Sequence, residues 1–297
     1  MRYNDSFHSC ALSRRLLRAK QSIIALLAGV VLLLGANIRA ATATNSPIVA
    51  LGFDATNHLL LKADAKALYR SADGGRYWAR IALPRGDGRI AAISTSARKA
   101  GRLYVGGPGL GILRSDDGGR HWRSLDKGLP TRNVVALAAH ADEARTVYAY
   151  VAGQGIFRSQ DDGLHWRLMD RGPREPILRF VHSNMPGSMQ TGWLFAATSN
   201  GVARSMDCFC GWRRAGTLTG EVTAIAYDPR QPKDVYAATG KTLLLSTNGG
   251  EQWTSLNSPG PAITALLVTP DGTLYAGADG LLFRSDDRAK TWERVHD

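Results

Sequence analysis

Cysteine is scarce in this 297-residue chain, with Cys10, Cys208 and Cys210 the full set. Cys10 stands before an apolar run, and the other two share one turn. No disulfide framework and no CxxC pair is available, so the fold must be held by packing and backbone ladders. A closed Cys-x-Cys ring is small and constrained, which leads us to expect two thiols or an outward reactive pair at Cys208 and Cys210. Glutamate is nearly as rare: Glu143, Glu175, Glu221, Glu251 and Glu293. The seven histidines show no H-x-H or H-E-x-x-H spacing, so the pattern announces no metal site. Asp116-Asp117 and Asp161-Asp162 lack the calcium-loop pattern and its bidentate glutamate. No glycine-rich loop opens a helix to cradle phosphate, and no cofactor is expected. After the first 43 residues no stretch is dominated by the 3.6-residue helical period, which excludes a helical bundle.

The formal net charge is +12, but residues 1–40 hold Arg2, Arg14, Arg15, Arg18, Lys20 and Arg39 against Asp5 alone. The remainder carries 31 Lys and Arg against 24 Asp and Glu, a mild +7. No basic run with interleaved aromatics appears, so nucleic acid is not an expected partner. Arg14, Arg15, Arg18 and Lys20 precede the apolar run from Ile23 to Ala36, 14 residues long. That length suits a signal-peptide core and is short for a membrane span of about 20 residues. Ala41-Thr42-Ala43 supplies the small-residue cleavage pattern. Residues 1–43 are therefore expected to be a signal peptide or signal anchor, and 44–297 the folded body. Either form places the body outside the cytoplasm, periplasmic, secreted or anchored facing out. Any membrane contact would come only through an uncleaved anchor.

What the chain does have is a repeat. Six of its seven tryptophans stand at 78, 122, 166, 212, 253 and 292, at intervals of 44, 44, 46, 41 and 39 residues. Each closes an octapeptide: SADGGRYW, SDDGGRHW, SQDDGLHW, SMDCFCGW, STNGGEQW and SDDRAKTW. The shared positions are Ser71, Asp73, Gly75 and Trp78; Ser115, Asp117, Gly119 and Trp122; Ser159, Asp161, Gly163 and Trp166. They continue as Ser205, Asp207 and Trp212; Ser246, Asn248, Gly250 and Trp253; Ser285, Asp287 and Trp292. Ser and Asp accept hydrogen bonds from turn amides, Gly takes φ > 0, and Trp is long enough to fold back and seal the turn. Phe209 and Ala289 replace Gly, and we expect those two turns to be distorted or less strained. Around each octapeptide four short apolar strands, A to D, are separated by Gly, Pro, Asn and Asp. In the third copy these are 133–141, 146–152, 156–159 and 165–169. Four strands per repeat of about 42 residues is the β-propeller signature. We expect an all-β, six-bladed propeller of antiparallel strands with an octapeptide at each C–D turn, closed without exchange of a strand.

The octapeptides resemble the BNR or Asp-box repeat, and the resemblance covers the chain after the leader. That family includes sialidases, xyloglucan-degrading hydrolases, sortilin-type receptors and photosystem II assembly factors. The resemblance implies that the boxes are structural turns on the blade periphery, away from the functional face. A sialidase would also need an Arg-Ile-Pro motif, which is absent. No residue is assigned a catalytic role. The expected function is a non-enzymatic exported scaffold binding a protein or glycan partner, serving assembly or stability of an envelope or membrane complex. The alternative is a glycoside hydrolase, for which Glu175 and Glu221 are the candidate carboxylates, with Asp87 and Asp170 behind them. The D–A loops are the candidate binding surface, because a rigid scaffold positions loops and arginine is favoured at interfaces. They carry Arg85, Arg89, Lys127, Arg132, Arg171 and Arg174.

Overall fold

The computed structural model describes residues 46–188 and 192–296. The leader expected over 1–43, with Cys10, lies outside the described residues. The described chain forms six four-stranded antiparallel sheets, each built from one continuous stretch in the order A-B-C-D. The innermost A strands are Ala50–Asp54, Ala92–Thr95, Val134–Ala139, Ile177–Ser183, Ala224–Asp228 and Ile263–Val268. In blade three the B, C and D strands are Val147–Val151, Gly155–Ser159 and Arg167–Asp170, within a residue or two of the sequence expectation. The last D strand is Glu293–Val295, so the sixth blade is complete without borrowing from the N-terminal end.

Small residues make blade stacking possible. The B strands read LYVGG, VYAYV and LYAGA in blades two, three and six, all buried. An added Cβ at Gly106 would lie 3.2 Å from Val134 of the next blade, and one at Gly52 2.9 Å from Ile93. Hydroxyls stitch neighbouring A strands: Thr95 Oγ1 donates to the Phe53 carbonyl at 2.7 Å, and Thr223 Oγ1 to that of Ile263 at 2.7 Å. Thr264 Oγ1 donates to the Ile48 carbonyl at 2.7 Å, which joins blade six to blade one. The ring closes on side-chain packing there, with Ile48, Leu51 and Leu60 clustered against Ala265, Tyr275 and Leu282.

The box turns act as expected and add an inter-blade role. Ser71 Oγ accepts the Gly75 amide at 2.8 Å and donates to Asp73 Oδ1 at 2.6 Å, while Asp73 Oδ1 accepts the amides of Arg76 and Tyr77 at 3.1 Å. Asn248 performs the same task in blade five. The distortion expected at Ala289 does not occur: Ala289 adopts φ 65° and donates to Ser285 Oγ at 2.9 Å, keeping the standard turn. The tryptophans are half-buried rather than sealed under their own turns. Their indole N–H groups reach back to the preceding blade, Trp122 to the Ala82 carbonyl at 3.0 Å, Trp166 to that of Leu125 at 2.8 Å and Trp253 to that of Ala215 at 2.8 Å. Trp122, Trp166, Trp212, Trp253 and Trp292 are thus clasps between blades. Trp122→Ala should cost about 2–4 kcal/mol, below the range for a fully buried aromatic, and Ser115→Ala about 1 kcal/mol. Urea unfolding of both variants checks the order.

Box four is rebuilt, as its sequence implied. Phe209 takes φ 55°, and its amide bonds to the Met206 carbonyl at 2.9 Å instead of to the box serine. Cys208 and Cys210 are joined in a disulfide with Cα atoms 5.5 Å apart, which corrects the expectation of thiols. The left-handed residue between them curls the chain enough to bring the two cysteines within disulfide reach.

Candidate functional site

Two features distinguish one face of the ring. The D–A loops and B–C turns share it, tied together by backbone bonds such as Arg89 N to Pro108 O and Gly109 N to Arg132 O. The A–B turns and the boxes occupy the opposite face. All six cations singled out from the sequence, Arg85, Arg89, Lys127, Arg132, Arg171 and Arg174, are exposed on the D–A face. Their counter-charges are unevenly available. Asp126 bonds the Ile112 amide at 2.8 Å and pairs with Arg132 at 2.8 Å, so Arg132 is already neutralised. Asp170 Oδ1 accepts the Trp212 indole N–H at 2.8 Å and the Gly172 amide at 2.6 Å. Asp126 and Asp170 therefore hold the loops in shape, and Arg85, Arg89, Lys127, Arg171 and Arg174 remain exposed with no carboxylate among the described residues paired to them. Glu175 is half-buried and Glu221 exposed, both on this face.

On the opposite face several arginines are paired across blades. Arg102, 2% exposed, bridges blades two and three, with Nε to Asp116 Oδ1 at 2.7 Å and Nη1 to Asp162 Oδ1. Arg98 pairs with Asp142 at 2.9 Å. A repeated arginine just before the box serine continues the pattern. Arg114 donates from Nη1 to the Asp162 carbonyl and Arg204 from Nη1 to the Gly249 carbonyl, the same box position of the next blade in each case. The sequence carries this signal in the recurring Arg-Ser dipeptides.

A second group escaped the sequence because it is assembled across blades. His140, His182 and Asp207 are fully buried, with candidate ligand atoms all within 4.8 Å. His140 Nδ1 accepts the amides of Asp142 and Glu143, both at 3.0 Å, and His182 Nδ1 accepts that of Ala141 at 3.1 Å. With Nδ1 accepting, the proton of each neutral ring sits on Nε2. The two Nε2 atoms face Asp207 Oδ2 at 3.6 and 3.8 Å. They point N–H groups at the carboxylate from beyond hydrogen-bond distance, where a cation would need lone pairs, so the arrangement does not suit a metal. Burial, followed by the neighbouring His182, lowers the His140 pKa to about 4, keeping the ring neutral.

A closed ring of six four-stranded blades, each carrying an Asp-box turn, defines a BNR-type β-propeller. The chain belongs to the family described as photosynthesis system II assembly factor YCF48, whose model matches residues 39–189, half of the sequence. Similar solved structures include YCF48 bound to D1 peptide, 20% identical with a TM-score of 0.58, covering 85% of this chain and 83% of that one. YCF48 from Cyanidioschyzon merolae is 18% identical with a TM-score of 0.57, covering 86% and 88%. The GH74 xyloglucanase from Xanthomonas campestris is 19% identical with a TM-score of 0.61, covering 84% of this chain but 46% of the enzyme. The chain thus spans about half the length of that enzyme, and likewise 47% of the GH74 enzyme of Niastella koreensis. No curated protein sequence matches the chain.

Proposed function

We propose that the protein is an exported, non-enzymatic propeller that captures a protein partner on its D–A face, in the assembly or stability of an envelope or membrane complex. The observation that carries this reading is the asymmetry of the faces. Arg85, Arg89, Lys127, Arg171 and Arg174 stand exposed on one rigid face, without a carboxylate partner among the described residues, while on the other Arg98, Arg102 and Arg288 are held by carboxylates of the neighbouring blade and Arg76, Lys99 and Arg120 stay exposed. Arginine-rich loops on a fixed scaffold favour an acidic partner segment and steer its approach. The similarity to a YCF48 that binds D1 peptide supports a protein partner, though at 20% identity the likeness shows the fold alone.

The test is capture of the partner from the native envelope by the folded body. Replacing Arg85, Lys127, Arg171 and Arg174 together with alanine should abolish capture and its salt sensitivity while the melting temperature holds. Loss of capture on changing Arg98 and Lys99 instead would place the binding surface on the opposite face. The alternative, a glycoside hydrolase, draws support from Glu175 and Glu221 lying on the same face. Xyloglucan cleavage by the purified body that disappears in Glu175→Gln and Glu221→Gln would establish it in place of the scaffold reading.

A further inference from the structure

The six blades serve as internal controls for one another, because ladder register fixes equivalent positions. Leu51, Ile93, Leu137, Phe180, Ile225 and Leu266 occupy the same place in their A strands, pairing with Lys62, Val105, Ala149, Ala196, Ala237 and Ala276. They form a ring of six apolar side chains, one per blade, that lines both compartments of the axial channel. The compartment on the D–A side has a volume of about 80 Å³, and the one towards the A–B face about 210 Å³. The residue before each ring member also lines the smaller compartment. In five blades it is alanine, at positions 50, 92, 136, 224 and 265; in blade four it is Arg179.

Among the described residues Arg179 is the sole Lys, Arg, Asp or Glu lining either compartment. Its Nη1 donates to the carbonyl of its own neighbour Leu178 at 2.7 Å, and among the described residues no carboxylate pairs with it. Burial, with no opposing acid, holds its guanidinium below the ordinary arginine value, yet the group stays charged at any physiological pH. A partly desolvated charge with no acid beside it is unfavourable for the fold, and five blades show that alanine serves the packing. The group is thus kept at a cost in stability, as binding groups often are.

We propose that the axial channel is a binding site for an alkyl carboxylate, its head group on Arg179 and its hydrocarbon tail against the six-residue ring. The guanidinium fork matches a carboxylate in two parallel hydrogen bonds. An apolar cavity of about 150 Å³ holds a benzene-sized molecule, so the larger compartment accommodates several methylenes. The smaller compartment is too tight for a peptide with side chains but admits a carboxylate and an unbranched chain.

Titration calorimetry with sodium decanoate tests this on the purified chain. One decanoate should bind per chain, at least tenfold more tightly than acetate or decanol. Arg179→Gln should weaken decanoate at least tenfold and raise the melting temperature of the ligand-free protein. Arg179→Lys, which keeps the charge without the fork, should fall between. Ile225→Trp, which fills the ring, should abolish binding with Arg179 intact. Equal binding of decanol and decanoate, unchanged affinity in a folded Arg179→Gln or Arg179→Lys protein, or failure of decanoate to bind would overturn the proposal. The four-residue loop variant should bind decanoate like the parent, so a failure of the loop-face reading leaves this site untouched, and the reverse holds.

Discussion

Replacing Arg102 with methionine should destabilise the protein by about 2–4 kcal/mol, a far larger effect than removal of an exposed charge on that face. Arg102 is 2% exposed, and one guanidinium joins Asp116 of its own blade to Asp162 and the Ala144 carbonyl of the next. Removing one member of a buried ion cluster leaves its partners desolvated and without their counter-charge. Two facts moderate the loss. Asp116 keeps Arg114 at 2.9 Å, and Asp162 keeps Arg145 at 3.5 Å. Both acids are also partly solvated, at 34% and 21% exposure. Arg98→Ala breaks an exposed pair on the same face and should cost about 0–1 kcal/mol. Arg102→Lys should not rescue, because a point charge on a flexible stem cannot serve two acids and a carbonyl at once. Denaturant midpoints at constant slope measure all three, and equal losses for Arg98→Ala and Arg102→Met would contradict the bridging role of Arg102.

The second large effect is acid destabilisation through His140. Its folded-state pKa is lowered from 6.5 to about 4 by burial and by His182. The unfolded chain therefore binds a proton in this window that the folded chain does not. Stability from this residue is fully present above about pH 6.5 and is lost as pH falls towards 4. At about 1.4 kcal/mol per pH unit, the loss approaches 3 kcal/mol at the acid end. The neighbouring titratable groups are Asp142, Glu143, His182 and Asp207, and they remain in the comparison when only His140 is changed. His140→Asn keeps an acceptor where Nδ1 receives the amides of Asp142 and Glu143. Its unfolding free energy should lose about one proton of pH dependence between pH 4 and 6.5 relative to the parent. Parallel stability–pH curves for the two proteins would refute the assignment.

The architecture was legible because it repeats. Six tryptophans at near-constant spacing announced six blades, and the alternation of short apolar runs with turn residues announced four strands in each. What was not legible is what the ring assembles from distant copies. His140, His182 and Asp207 come from two neighbouring blades, and no local spacing motif joins them. Arg102 reads as one of several loop cations, and only packing reveals that it is buried between blades. The tryptophans looked like lids on their own turns, yet the indole reaches the previous blade about 40 residues earlier. Arg179 was visible in principle, since aligning the A strands shows alanine at five of six equivalent positions. Strand register was needed to make that alignment certain, because a slip of one residue sends every side chain to the other face.

Hydrogen exchange of the protein with and without its captured partner tests the face assignment most directly. The account predicts slowed exchange over residues 83–89, 126–132 and 170–176, with the A–B turns at 55–58, 97–101 and 142–145 unchanged. Protection confined to those A–B turns, with the D–A loops exchanging as in the free protein, would contradict it.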